Sequence, residues 1–185
     1  ATNLNLMANR FGTSVTPLNT DASDIYIKRF NGDIDIRQSM GIGTSVMITG
    51  PPDGFGKIIY SKETDLILEA TRGGVFNTVN SSINAKSLSL IAYQNIGTEA
   101  NHFCFTAESL SSIISSTGSI YIDSGNSDIR IRGDIAAYGD ITVYSGTGKI
   151  DALTNTVTIH SETGSINLET TTGNIEVYGT FSAPN

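Results

Sequence analysis

Two histidines, one cysteine and a scatter of carboxylates are the side chains with which this sequence could do chemistry. His102 and His160 lie 58 residues apart. Neither belongs to a His-x-His or His-x-x-x-His spacing that would bring two imidazoles to one metal. His160 sits in Thr158-Ile159-His160-Ser161 at an outward strand position, where a solvated imidazole is expected. In a trimer, three copies of one histidine could still meet on the axis around a metal. Asp33 with Asp35, and Asp123 with Asp128, are the carboxylate pairs that glycoside hydrolysis would need. Each of these residues falls in a turn or on an alternating strand, where Asp also serves as a turn former. No aromatic-lined groove accompanies them, and Trp, the usual sugar platform, is absent. No catalytic residue, metal ligand or cofactor-binding residue is therefore assigned, and the chain is expected not to be an enzyme. The calcium-binding nonapeptide Gly-Gly-x-Gly-x-Asp is missing, since Gly73-Gly74 leads into Val75-Phe76. Asn80-Ser81-Ser82 matches a glycosylation acceptor, which matters only after secretion. The single Cys104 excludes an internal disulfide and lies in His102-Phe103-Cys104-Phe105, where a buried free thiol is expected.

The elements that must carry these residues are short strands. From residue 113 to 181, apolar and polar residues alternate in runs such as Ile120-Tyr121-Ile122, Ile141-Thr142-Val143, Ile166-Asn167-Leu168 and Ile175-Glu176-Val177. A period of two turns one side of each run inward. Four of the intervening turns read Thr-Gly-x-Ile: Thr117-Gly118-Ser119-Ile120, Thr147-Gly148-Lys149-Ile150, Thr163-Gly164-Ser165-Ile166 and Thr172-Gly173-Asn174-Ile175. The leading apolar residues Ile113, Ile120, Ile129, Ile135, Ile141, Ile150, Val157, Ile166 and Ile175 follow one another at 6 to 9 residues. Steps that short suggest a chain winding about an axis, one strand per side. Three steps of about eight predict a three-sided rung of about 24 residues, inside the solenoid range.

The fold class is thus all-β: a repetitive β-helix or β-prism of short strands, open to a trimeric, intertwined form. Asp24-Ile25-Tyr26-Ile27, Gly32-Asp33-Ile34-Asp35-Ile36, Leu66-Ile67-Leu68 and Leu88-Ser89-Leu90 extend the alternation less regularly. Gly50-Pro51-Pro52-Asp53-Gly54 cannot be regular strand. Residues 92 to 112 break the pattern and are expected to form a bulging loop or a short helical turn. The sequence divides into an extended N-terminal docking arm (1–20), an irregular β region with a loop insert (21–112) and a regular repeat shaft (113–185).

Composition agrees. The chain has 185 residues, of which 38% are hydrophobic and 16% charged, against about 25% charged in typical globular domains. A net charge of −7 without a Lys/Arg cluster argues against binding nucleic acid through phosphates. No apolar run approaches the length of a membrane-spanning helix. The opening Ala1-Thr2-Asn3-Leu4-Asn5 carries no signal peptide and is what Met removal would leave, so synthesis in a cytoplasm is expected.

The stretch from Thr163-Gly164-Ser165-Ile166 through Thr172-Gly173-Asn174-Ile175-Glu176-Val177-Tyr178-Gly179-Thr180-Phe181-Ser182-Ala183-Pro184-Asn185 resembles the β-helical parts of bacteriophage tail spikes, fibres and baseplate proteins. It is similar as well to the shafts of the spikes that tip type VI secretion systems, whose large N-terminal hub domains and metal-binding tip are not recognisable here. The resemblance covers roughly 75 residues. It implies a virion structural protein, made in the host cytoplasm, that serves as a rigid spacer or attachment component of a tail, baseplate, neck or fibre. It also implies a homotrimer, with other virion proteins docking on the N-terminal arm and a host-surface ligand as a possible further partner. A second resemblance is to bacterial β-solenoid adhesins with Ser-Gly-Asp-Ile or Thr-Gly-Asn-Ile repeats. It implies a glycan- or protein-binding module; recognition through the insert at 92–112 would be favoured by an exposed aromatic patch around Phe103 and Phe105, which the virion reading expects to be buried.

Overall fold

The computed structural model describes residues 3–6, 18–20, 24–27, 34–38, 46–48, 59–60, 65–77 and 83–184. Every regular element among them is a β-strand, and no helix is long and apolar enough to cross a membrane. The strands pair in parallel, each with the strand one turn earlier and one turn later, so the chain is a three-sided β-solenoid. From Asp65 onward it makes about five turns. The first face stacks Val75–Asn77, Ile120–Asp123, Ile141–Ser145 and Ile166–Thr170, with Ile96 bridging Val75 to Ile120. The second stacks Asp65–Ala70, Ile83–Ala92, Phe103–Ser115, Ile135–Ala137, Thr158–Ser161 and Thr180–Ser182. The third stacks Ile129–Arg130, Ile150–Ala152 and Ile175–Val177.

A turn takes 19 to 25 residues on the first face, as the pairs Phe103 with Ile122, Ile120 with Ile141 and Ile141 with Ile166 show, against the expected 24. Alternation puts Ile or Val on the axis at each level. Ile120, Ile122, Ile129, Ile135, Ile141, Val143, Ile150 and Ile159 are all fully buried, each packed under its counterpart on the next turn. Such columns bury apolar area without any layer beyond the chain's own winding. Over the last described turn the columns open: Ile166 and Leu168 are half-buried and Ile175 is exposed.

The corners have their own chemistry. Ser115, Ser145, Ser161 and Thr170 each stand three residues before the glycine of a Thr-Gly turn. The three serines are buried. The Ser115 hydroxyl accepts the Gly118 N–H (3.2 Å) and donates to the Gln94 carbonyl one turn back (2.7 Å). Ser161 does the same with Gly164 and Gly139, and Thr170 with Gly173 and Gly148, all at 2.9 to 3.0 Å. The Ser115, Ser161 and Thr170 hydroxyls thus each satisfy a corner amide and a carbonyl that the ladder leaves over, while Ser145 donates to the Ser127 carbonyl (3.0 Å).

Between the second and first faces, two kinds of corner alternate. A short one, Ala92-Tyr93-Gln94-Asn95-Ile96, lies under a long one, Ser115-Ser116-Thr117-Gly118-Ser119-Ile120. The next pair is Ala137-Tyr138-Gly139-Asp140-Ile141 under Ser161-Glu162-Thr163-Gly164-Ser165-Ile166. Within each pair the bonds correspond. Thr117 Oγ1 donates to Tyr93 O and Thr163 Oγ1 to Tyr138 O (2.6 and 2.7 Å), while the Ser119 and Ser165 amides donate to Asn95 Oδ1 and Asp140 Oδ1 (both 2.8 Å). The repeat of this region is therefore two turns: Ile120 and Ile166, Ile129 and Ile175, Gly133 and Gly179, and Ile135 and Phe181 are each 46 residues apart.

Of residues 92 to 112, expected as a bulging loop or a short helical turn, a short stretch does bulge from the ladder and none is helical. Only residues 97–102 leave the ladder, closed by a Thr98–Asn101 bridge. Gly97, at φ 65°, starts this excursion where a side chain would strike the Tyr121 carbonyl. Beyond it, Phe103–Ser115 is a strand that bends through all three faces. Phe103 pairs with Ile122, Leu110 bridges Ile131, and residues 113–115 pair with Ile135–Ala137. Polar residues on its outer side mask the inward Phe103, Phe105 and Ala107, which is why its strand period was hidden. Of the arm at 1–20, the described parts are Asn3–Leu6, parallel to Asp24–Ile27, and Leu18–Thr20, parallel to Ile34–Gln38; its other residues lie outside the described set.

Candidate functional site

The register of the first face decides what lies on its outer surface. Outward positions of successive turns are His102, Tyr121, Thr142 and Asn167 in one file, and Cys104, Asp123, Tyr144 and Glu169 in the next. His102 and Tyr121 stack along the axis, with ring centroids 5.9 Å apart and planes at 26°. Below Tyr121 the file steps down from rings to the short Thr142 and Asn167. That step opens a groove of about 450 Å³, walled by His102 and Tyr121, floored by Thr142 and Asn167, and flanked by Glu99 and Glu169. Its size falls in the range of small-molecule sites.

The loop at 97–102 is the second determinant. Its base is fixed: the Asn101 side-chain amide donates to the Asn77 carbonyl (2.9 Å), and the Asn101 N–H donates to Thr98 Oγ1 (3.0 Å). The loop carries Glu99 and His102 to the rim. Among the described residues, Glu99 and Thr142 make no side-chain hydrogen bond, and Asn167 makes only a long one to Glu169 (3.4 Å). Asp140, at the edge, is already engaged by the Ser165 amide. The groove therefore offers unused donors and acceptors beside an aromatic wall.

No protein-family model, curated protein or solved structure matches this chain.

The residues singled out from sequence are placed as follows. Asp123 accepts the Gly125 N–H (2.6 Å), and Asp128 accepts the Lys149 N–H from the next turn (2.8 Å). Both act as turn formers. Asp33, and the side chain of Asp35, lie outside the described residues, as does Asn80-Ser81-Ser82. His160 stands outward on the second face, between the Ser182 hydroxyl (3.1 Å) and the Glu162 carboxylate (3.3 Å). His102 and His160 lie on different faces. Cys104 is not the buried thiol expected. Phe103 and Phe105 take the inward positions, which leaves Cys104 half-buried on the outer side. Partial burial, with the Asp123 charge adding to it, raises its pKa above the ordinary thiol value, against the lowering effect of Asn77. Two charge contacts were not legible at all. Asp151, the one charged residue buried among the described residues, meets the Arg130 guanidinium at 3.5 Å through Oδ2, while its Oδ1 has no partner. Beside it, Lys149 pairs with Glu176 at the surface (2.7 Å), and that contact raises the lysine's pKa.

Proposed function

We propose that the chain is a non-catalytic structural protein, a rigid spacer or attachment element of a phage tail, baseplate, neck or fibre. The observation that carries the structural half of this reading is the run of parallel ladders with fully buried Ile and Val columns. A body whose every strand is bonded to the turn before and after resists bending along its axis, and each turn adds about 4.8 Å of length. The virion half rests on the resemblance of the Thr163 to Asn185 stretch to phage β-helical shafts. In this reading three chains associate, and residues 1–20 contribute to docking on a neighbouring virion protein. The adhesin alternative loses the feature that would have favoured it, because Phe103 and Phe105 are buried in the core.

Native mass by light scattering behind size exclusion, together with mass spectrometry of purified virus particles, tests the proposal. A trimer of a 19.6 kDa chain, found in virions at a stoichiometric ratio to a known tail protein, is the expected result. A chain recovered only from bacterial envelopes would refute the virion reading.

A further inference from the structure

The groove below Tyr121 is an unexplained feature for a shaft whose task is to be stiff. A regular outer file would repeat side chains of similar size and leave a plain surface. Here two rings are followed by two short polar side chains, and an excursion of six residues is spent on bringing Glu99 and His102 to the rim.

The chemistry of the lining limits what would fit. An aromatic wall offers a flat apolar surface with a polar tip. Thr142, Asn167 and Glu169 offer both donors and acceptors on the facing side. Glu99, Asp140 and Glu169 make the surroundings acidic, and no Lys or Arg stands among the lining residues. An anionic ligand is therefore repelled, and a purely apolar one would leave the polar floor unsatisfied. A saturated ring with one apolar side and a rim of hydroxyls satisfies both walls.

We propose that this groove binds a sugar unit of a glycan that carries no negative charge, stacked on Tyr121 and hydrogen-bonded by Thr142, Asn167 and Glu169. His102 positions the Tyr121 ring by stacking on its other side. Glu99 closes the open edge and favours sugars bearing an amine. The inference does not depend on the virion reading, since a shaft or an adhesin could equally carry such a site.

The test uses the full chain on a printed array of neutral, amino and acidic oligosaccharides, with hits titrated by calorimetry. All hits are expected to lack carboxylate and sulfate groups. Tyr121→Ala is expected to weaken a hit about tenfold, and Tyr121→Phe to retain most of the affinity. Thr142→Tyr fills the step from an outward position and is expected to abolish binding while the strand signal in circular dichroism stays unchanged. Three outcomes overturn the proposal: no neutral or amino glycan bound at millimolar concentration, hits confined to acidic glycans, or binding that survives Thr142→Tyr.

Discussion

Truncating Ile141 to alanine probes the central claim about the core, that it is a set of columns whose members depend on their neighbours above and below. Ile141 is fully buried and in register with Ile120 on one side and Ile166 on the other. The substitution removes three carbons. At about 0.8 kcal/mol each the transfer loss is about 2.4 kcal/mol. Both neighbours are held by their own ladders, so the space cannot collapse, and the cavity adds to the loss. A total of about 3–4 kcal/mol follows, within the range for buried Ile-to-Ala changes. For a chain of 185 residues this is a fall in Tm of about 7–14 °C. Ile175→Ala is the control: it occupies an equivalent inward position on the third face but is 44% exposed, so it should cost about 1 kcal/mol or less. Urea unfolding followed by circular dichroism measures both, and equal m-values allow the midpoints to be compared. Equal costs for the two, or less than about 1.5 kcal/mol for Ile141→Ala, would refute the column picture.

Two other perturbations probe separate features. Arg130→Ala leaves the buried Asp151 carboxylate without its counter-charge and is expected to cost about 1–2 kcal/mol, less than a fully buried pair because Arg130 is half-exposed; adding Asp151→Asn should recover most of it, and a cycle without coupling would show that the contact is incidental. For Cys104 the raised pKa means that the thiolate appears at higher pH in the folded chain than in the unfolded one. Alkylation by iodoacetamide should then follow a pH profile displaced upward from that of the urea-denatured chain, and coincident profiles would contradict the burial seen here.

The period-two runs and the Thr-Gly-x-Ile turns were enough to reach a three-sided solenoid with rungs near the right length, because both signals are local. Inward residues from Ile113 to Ile159 could be named for the same reason. The outer surface was less legible. Which outward side chains become neighbours depends on the length of every intervening turn, and those lengths vary from 19 to 25 residues on the first face. Hence Tyr121, Thr142 and Asn167, spread over 47 residues of sequence, gave no hint of sharing one groove. The hydroxyl three residues before each Thr-Gly turn was visible as a pattern, but its meaning required the carbonyl one turn away. Phe103 and Phe105 misled because an aromatic cluster beside polar residues reads as an insert until its alternation is counted from the strand's own start.

The pairing of a short corner with a long one has a consequence for how such a chain can change length. Removing a single turn would set two corners of the same kind on each other, and the Asn95 or Asp140 acceptor would lose the serine amide it serves. Removing 46 residues joins ends that already match. Insertions and deletions tolerated in this region should thus come in double turns, changing the axial rise in increments of about 10 Å, so that the bonding rules of one corner act as a ruler on which every second mark is missing.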